Sequence, residues 1–420
     1  MLTERNMAGL RVRSLTLALL CGCYLSHQPD DAGNDATADV FDAGTDAPTV
    51  DVGLDVPVIV EPERPVTERC DLTRPPTFAG ELPTECNLPG AGDNDGDGFA
   101  NADDCNDCSP QVNPGAFEIP GNGVDENCDG LDAYRCEEVG GPPGGFAAAR
   151  AIGLCEQTTI DARNWGVLDA RITRANGEGA PDNFQWEVLS RLGAATPRIG
   201  SAMLSLSNAA ASEIGVAANR CQEIVDDGDA RPEGTPPGHP YPSSSCPGAG
   251  DGDVLQSAAL EVRLRVPTNA AGYRVGTNFY TREFPNFICD RFNDAFVILE
   301  ERAGAWQNVA FDAEGNTISV NNALLEVCRP GVYRGRRFDC AEGANQLNGT
   351  GFDIDCNSPP TRETPGGATG WICTDVPASP GELITLRFAI WDTGDPYLSS
   401  LALIDGFSWL PARFESVSPE

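Results

Sequence analysis

No lysine occurs in the 420 residues, so all 28 basic side chains are arginine; they face 63 carboxylates, for a net charge of −35. The arginines are nowhere clustered enough to follow a phosphate backbone, so nucleic acid is not expected as a partner. Histidine is almost as scarce, with only His27 and His239. A Ser-His-Asp triad or an imidazole zinc site needs histidine on the scaffold, and His239 sits in the turn-rich Pro236-Pro-Gly-His-Pro-Tyr-Pro242. There is no Gly-x-Ser-x-Gly elbow and no phosphate-binding glycine loop. No apolar run is long enough to cross a bilayer as a helix. Glycoside hydrolysis needs no histidine, only two carboxylates. Glu283 with Asp294, or Asp392 with Asp395, are the clustered candidates, beside Phe279, Tyr280, Phe284, Phe287 and Trp391. Aromatic residues at those spacings read as sandwich core, and Asp392/Asp395 as a turn or a rim calcium site. The expectation is a protein that is not an enzyme.

What the chain has in abundance is acid at a particular spacing. Asp93-Asn-Asp-Gly-Asp-Gly-Phe99 places carboxylates at loop positions 1, 3 and 5 and glycine at 6, the spacing that wraps a chain around Ca²⁺. Asp93, Asp95, Asp97 and Asp104 are the expected primary ligands, with the Phe99 carbonyl at position 7 and Asn101 at position 9. Asp104 stands at position 12, where an EF-hand has a bidentate Glu, and no helical pattern flanks the loop. Asp125, Asn127 and Asp129 repeat the spacing and belong to a second ion or to an outer shell. Eleven acidic and no basic residues lie between Asp93 and Asp132, and unneutralised they would repel one another. The alternative is a solvated acidic loop.

Sixteen cysteines, fourteen of them from Cys70 onward, read as disulfides in an oxidising compartment. Proximity suggests Cys70–Cys86, Cys105–Cys128, Cys221–Cys246, Cys328–Cys340 and Cys356–Cys373. Residues 1–23 look like an export signal: Arg5, Arg11 and Arg13 precede the short apolar core Leu15–Leu20. The run ends Leu20-Cys-Gly-Cys23, which resembles a bacterial lipobox. That resemblance implies acylation of Cys23, a membrane anchor through more than one lipid chain, and an outer-membrane or cell-surface location. Ordinary signal cleavage and free secretion is the alternative.

Residues 24–68 form an acidic, low-complexity tether. Between 27 and 66 it carries ten acids, one arginine and one aromatic, Phe41, too little apolar surface to fold. Residues 69–137 are a cysteine-framed, loop-rich module that ions and disulfides must hold together. Within it, Asp93–Phe99, Asp104-Cys-Asn-Asp107 and Asn113-Pro-Gly-Ala-Phe-Glu-Ile-Pro-Gly-Asn-Gly-Val-Asp-Glu-Asn-Cys-Asp-Gly130 resemble the metal-binding motif family of bacterial surface proteins. Residues 138–149 read as a Gly/Pro hinge and 413–420 as a tail.

From 150 to 412 the pattern turns to strands: the alternating Leu260–Val266, one face buried and one wet, then Phe296–Leu299, Leu383–Trp391 and Leu401–Ile404. Turn signals at Glu314-Gly-Asn316 and Asp392–Asp395 punctuate them. The expected fold class is mainly β, an antiparallel β-sandwich preceded by the small disulfide- and Ca²⁺-stabilised module. Asn278–Phe287, Phe292–Phe296, Arg387–Asp395 and Ser399–Phe407 resemble the choice-of-anchor L domain. That resemblance implies an exported, surface-attached protein, without an activity. The function expected is binding or adhesion to a surface glycan or a neighbouring protein, with a carbohydrate-active hydrolase using a carboxylate pair, or a purely structural envelope role, as the alternatives.

Overall fold

The computed structural model describes residues 65, 67–73, 92–133, 136, 143–211, 232–239, 241, 243–247, 252–321, 324–354, 365–394 and 398–412, all inside one compact unit, Glu61–Glu420. The export signal with Cys23, nearly all of the tether, Cys86, Cys221, Cys356, Asp395 and the tail lie outside the described residues.

The elements in chain order are β1 (Thr67–Arg69), α1 (Gly145–Ala151), β2 (Gly166–Thr173), β3 (Trp186–Leu189), β4 (Met203–Ser207) and β5 (Val254–Arg265). There follow β6 (Ala270–Thr281), β7 (Ala295–Arg302), β8 (Ala305–Asn308), β9 (Ile318–Ser319), β10 (Gly331–Tyr333) and β11 (Arg336–Phe338). The last four are β12 (Gly367–Ala368), β13 (Ile372–Pro377), β14 (Leu383–Thr393) and β15 (Ser400–Pro411). One sheet runs β1-β13-β6-β15-β4-β3, with β12 also on β6; the other runs β2-β5-β14-β7-β8, with β9 also on β7. Every pairing between these strands is antiparallel. The protein is therefore mainly β, a two-sheet antiparallel sandwich, and β10 and β11 form a separate hairpin.

The sheets close on a core that includes Leu260, Val262, Tyr273, Phe279, Ile298, Phe388, Ile390, Ile404 and Trp409. Burying the inner faces of two sheets is the main stabilising term. The outer faces are not left to water. Met203, Tyr280, Phe352, Leu401 and Leu403 form a second cluster, and Val297, Leu299, Ala389 and Trp391 a third. Strands covered on both faces read as unbroken apolar runs, which is why Phe296–Leu299 and Leu401–Ile404 carry no alternation.

Alternation did mislead at one point. The outer face of Leu260–Val266 is wet at Arg263 but not at Glu261, which is 6% exposed. The register places Arg171 of β2 and Arg387 of β14 on either side of it. Both arginines donate to Glu261, and together they close over its carboxylate. The turn expected at Asp392 is also displaced: Asp392 and Thr393 are the buried end of β14.

The disulfides correct three of the five proximity pairings. Cys105–Cys128 and Cys328–Cys340 form as expected. Cys70 instead bonds Cys373, across 303 residues, so neither Cys70–Cys86 nor Cys356–Cys373 exists. Cys246 bonds Cys289 rather than Cys221, and Cys136 bonds Cys155. The reason for the first is the sheet: β1 pairs with β13 in a register that sets Glu68 opposite Cys373, bringing Cys70 beside it.

The module is docked on the sandwich rather than hung from it. The Asn269 side chain, between β5 and β6, accepts from the Phe117 amide at 2.9 Å and donates to the Phe117 carbonyl at 2.9 Å. The Thr268 amide donates to the Gly115 carbonyl at 3.0 Å, and its hydroxyl to Asn113 Oδ1 at 2.8 Å. The Phe117 ring enters the main core. Gly115 is needed for that approach, because a Cβ there would lie 2.9 Å from Thr268 Cγ2 and 3.2 Å from the Phe99 ring. α1 starts within the expected hinge and buries Ala148, Ala149 and Ala151; these short side chains let its backbone lie close to the sheet.

Candidate metal centre

The first acidic loop is folded by its own side chains. Gly96 N–H donates to Asp93 Oδ1 (2.7 Å) and Gly98 N–H to Asp93 Oδ2 (3.0 Å). Asp97 N–H donates to Asp95 Oδ1 (3.2 Å) and Phe99 N–H to Asp97 Oδ1 (2.8 Å). Such side-chain-to-backbone bonds stabilise turns that neither helix nor sheet accommodates. Gly98, at position 6, has φ +94°, which only glycine adopts cheaply. Arg163 closes the loop from the sandwich side, donating to the Gly98 carbonyl and lying 5.9 Å over the Phe99 ring.

These bonds take both oxygens of Asp93 but leave one oxygen each of Asp95 and Asp97 over. Asp95 Oδ2, Asp97 Oδ2 and Asp104 Oδ2 are all buried without a hydrogen-bond donor. Asp95, Asp97 and Asp104 each bring one carboxylate oxygen within 4.8 Å of the others. Their other oxygens are held by Asp97, Phe99 and Asn106 amides, the last at 2.8 Å. Three convergent anionic oxygens out of water and without donors are costly unless protons or a cation compensate. The titration reflects that cost. Burial, then the charges of Asp97, Asp95 and Asp107, push Asp104 up to about 7. Burial, then Asp95 and Asp93, push Asp97 up to about 6. Asp95 is raised too, by burial first.

Asp93 lies in an adjoining group with Asp95 and Asp107. Asp107, 3% exposed, was not singled out from the sequence; it accepts from the Asn94 amide at 2.8 Å and from the Asn94 side chain. Its signal was its place in Asp104-Cys-Asn-Asp107. Asn101 is anchored through its amide to the Gly92 carbonyl at 3.0 Å. A further group joins Asp104 to Cys105 and Cys128, but these two sulfurs are bonded to each other and offer no thiolate.

The second loop repeats three of the first loop's four bonds at the ligand positions and differs in one donor to its first carboxylate. Asp129 and Gly130 amides donate to Asp125 at 3.0 and 2.8 Å. The Asp129 amide also donates to Asn127 Oδ1 at 2.9 Å, and the Leu131 amide to Asp129 Oδ1 at 2.9 Å. Gly130 has φ +88°. Glu118, also missed from the sequence, receives the Asn127 amide on Oε1 at 2.8 Å. Burial, then the charges of Glu126, Asp125 and Asp129, push Glu118 up to about 7.

The carboxylates weighed for hydrolysis lie elsewhere. Asp294 is wholly buried and accepts from Ser400 Oγ and Asn208 Nδ2, each at 2.8 Å, and from the Thr393 amide at 3.1 Å. Burial pushes it up to about 7, beside Asp392. Glu283 is buried as well. Asp294 ties the start of β7 to β14 and β15.

A family model described as "putative metal-binding motif" (Cu-binding_MopE) matches residues 104–133. The match takes in Asp104, Asp107, Glu118 and the second loop, and Asp93–Phe99 precede it. No curated protein matches the chain. Among solved structures the chain is similar to TmCBM61, described in complex with beta-1,4-galactotriose, at 7% identity and a TM-score of 0.22, over 59% of this chain and 88% of that one. A likeness that slight says nothing of a ligand.

Proposed function

We propose that the chain is an exported lipoprotein, held at the outer membrane or cell surface by acyl chains on Cys23. In this reading the cysteine-framed module carries structural Ca²⁺. The sandwich is a binding or adhesion domain of the choice-of-anchor L kind, for a surface glycan or a neighbouring protein. The observation that carries the metal reading is the meeting of three buried carboxylate oxygens without donors, from Asp95, Asp97 and Asp104. Asp93, the Phe99 carbonyl and Asn101 complete the ligand set by loop position. The donors are all hard oxygens, which favours Ca²⁺. Copper calls for imidazole or thiolate, and the neighbouring cysteines are oxidised. The ion cross-links the loop from Asp93 to Asp104, and through the Thr268 and Asn269 contacts it stiffens one end of the sandwich. Binding rather than turnover is favoured because Glu283 and Asp294, weighed as a hydrolytic pair, are both buried, Asp294 among Ser400, Asn208 and Thr393.

Calorimetric titration of the oxidised chain tests the metal. Wild type is expected to bind Ca²⁺, and Asp104→Asn to lose at least about a hundredfold in affinity at the first loop, since affinity follows ligand charge. Absence of any Ca²⁺ uptake by wild type in the millimolar range sinks the reading. The anchor has its own readout: palmitate incorporation in cells, expected for wild type and lost in Cys23→Ala. Equal labelling of both would show that Cys23 is not acylated.

A further inference from the structure

We propose that a small uncharged pocket at one end of the sandwich takes the primary hydroxyl group of a neutral hexose, with Asn293 and Thr393 as its hydrogen-bonding partners. The proposal rests on the reading of the sandwich as a binding domain and gives that domain a site and a ligand class. The floor of the pocket is one face of the sheet β2-β5-β14-β7-β8. β14 sets Trp391 opposite Ala295 of β7 and Thr393 opposite Val254 of β5. All four line the pocket, with Asn293 just before β7. Its roof is the segment that carries His239 and Tyr241, and this segment is fixed at both ends. The Glu233 amide donates to the Val254 carbonyl at 2.8 Å. At the far end Asn316 Oδ1 accepts from Ser243 Oγ at 3.0 Å and from the Ser245 amide at 3.1 Å, and Cys246 is bonded to Cys289. A roof held in this way spares much of the ordering cost of binding.

Two polar atoms in the lining lack partners. Asn293 is 7% and Thr393 3% exposed, and both Asn293 Oδ1 and Thr393 Oγ1 are buried without a hydrogen bond. The Thr393 amide is spent on Asp294 at 3.1 Å, so the hydroxyl is the group left over. Such orphans cost stability that a ligand able to donate and accept at once recovers, and a hydroxyl does both. The rest of the lining sets charge and size. Among the described residues around the pocket none is charged, since burial holds His239 down at about 4 and leaves its ring neutral near pH 7. In a chain of net charge −35, that lining suits neither a cation nor an anion. The His239 ring meets the Trp391 ring edge-on at 5.1 Å, and rings with a few placed polar groups are what small-molecule sites use. The volume of about 40 Å³ holds about three water-sized groups. That is room for a hydroxymethyl group, while the sugar ring stays at the mouth against His239 and Tyr241. The alternative occupant is ordered water.

Saturation-transfer NMR on the oxidised full chain tests this, with the methyl glycosides of glucose, galactose and mannose and their 6-deoxy counterparts as probes. At least one of the three is expected to bind. Its 6-deoxy form is expected to bind at least about tenfold more weakly, because it leaves Asn293 and Thr393 unpaired. Thr393→Val keeps the shape of the side chain and removes the hydroxyl. It should lose at least about tenfold in affinity yet melt no lower than wild type, since the group removed is an unpaired buried one. Asn293→Leu should weaken binding in the same way. Wild type that binds none of the three overturns the proposal. A 6-deoxy sugar bound as tightly as its parent does so too, and leaves the pocket to water. A sugar bound equally by wild type, Thr393→Val and Asn293→Leu overturns this site while glycan binding by the chain stands. None of these results bears on Ca²⁺ uptake, which is read separately.

Discussion

Stripping Ca²⁺ from the oxidised chain with EDTA at pH 8 is expected to lower its Tm by about 3–5 °C. At a free concentration about a hundred times Kd, each bound ion adds about 2.7 kcal/mol. The unit Glu61–Glu420 is large enough that its midpoint shifts by only about 1–2 °C per kcal/mol. The effect should also depend on pH, with opposite signs in the two conditions. In the metal-free protein Asp97 and Asp104 titrate near 6 and 7, above the ordinary carboxylate value of 3.8 that the unfolded chain retains. A folded state that holds protons more tightly is favoured at low pH. Their contribution is fully present below about pH 4 and is lost as pH rises through 6 and 7. Metal-free melts should therefore be higher at pH 5 than at pH 8. With Ca²⁺ the ion competes with those same protons, so its advantage is greatest at pH 8 and fades between 7 and 5. Melts at both pH values, with and without Ca²⁺, settle the matter. A Ca²⁺ shift of equal size at pH 5 and pH 8 would detach the ion from Asp97 and Asp104. In Asp104→Asn the metal-free melt should lose part of its pH slope.

How much of this was legible in the chain depends on how local the cause is. The Asp93–Gly98 spacing announces its fold because the bonds that shape the loop reach only two to five residues. Cys105–Cys128 and Cys328–Cys340 close loops of 23 and 12 residues, and proximity finds such pairs. Cys70–Cys373 depends on β1 adding to β13, a pairing that three residues at the edge of a tether do not advertise. Glu118 hides for another reason. A lone glutamate between Phe117 and Ile119 reads as solvated until the docking of Phe117 drives it under cover. The strands β7 and β15 are plain from apolar runs, yet the same runs conceal which face meets the core, because both faces are covered.

Glu261 is where that blindness has the largest energetic consequence. Glu261→Ala is expected to destabilise the sandwich by about 3–5 kcal/mol, the penalty for leaving a buried partner charged and alone. Its Oε2 receives Arg387 Nε at 2.9 Å and Nη2 at 2.5 Å, and Oε1 receives Arg171. The Arg387 and Glu261 side chains are 6% and 7% exposed, so water replaces neither partner. Arg387 cannot escape by losing its proton. It is pinned between the Trp306 ring, 4.3 Å away, and Gly177, where even a Cβ would collide with the guanidinium. Arg171 is more than half exposed and simply turns to solvent when Glu261 is removed. Denaturant melts of Glu261→Ala, Arg387→Met and the double variant Glu261→Leu/Arg387→Met check this. The double variant should recover most of the loss, because an apolar pair of similar volume carries no desolvation cost. The deficit of Glu261→Ala should be the same in Ca²⁺ and in EDTA, since the ion acts on the module and the pair on β5 and β14. A single substitution costing under about 1 kcal/mol would mean that water reaches the pair. A double variant as weak as Glu261→Ala would put the cost in packing rather than in charge.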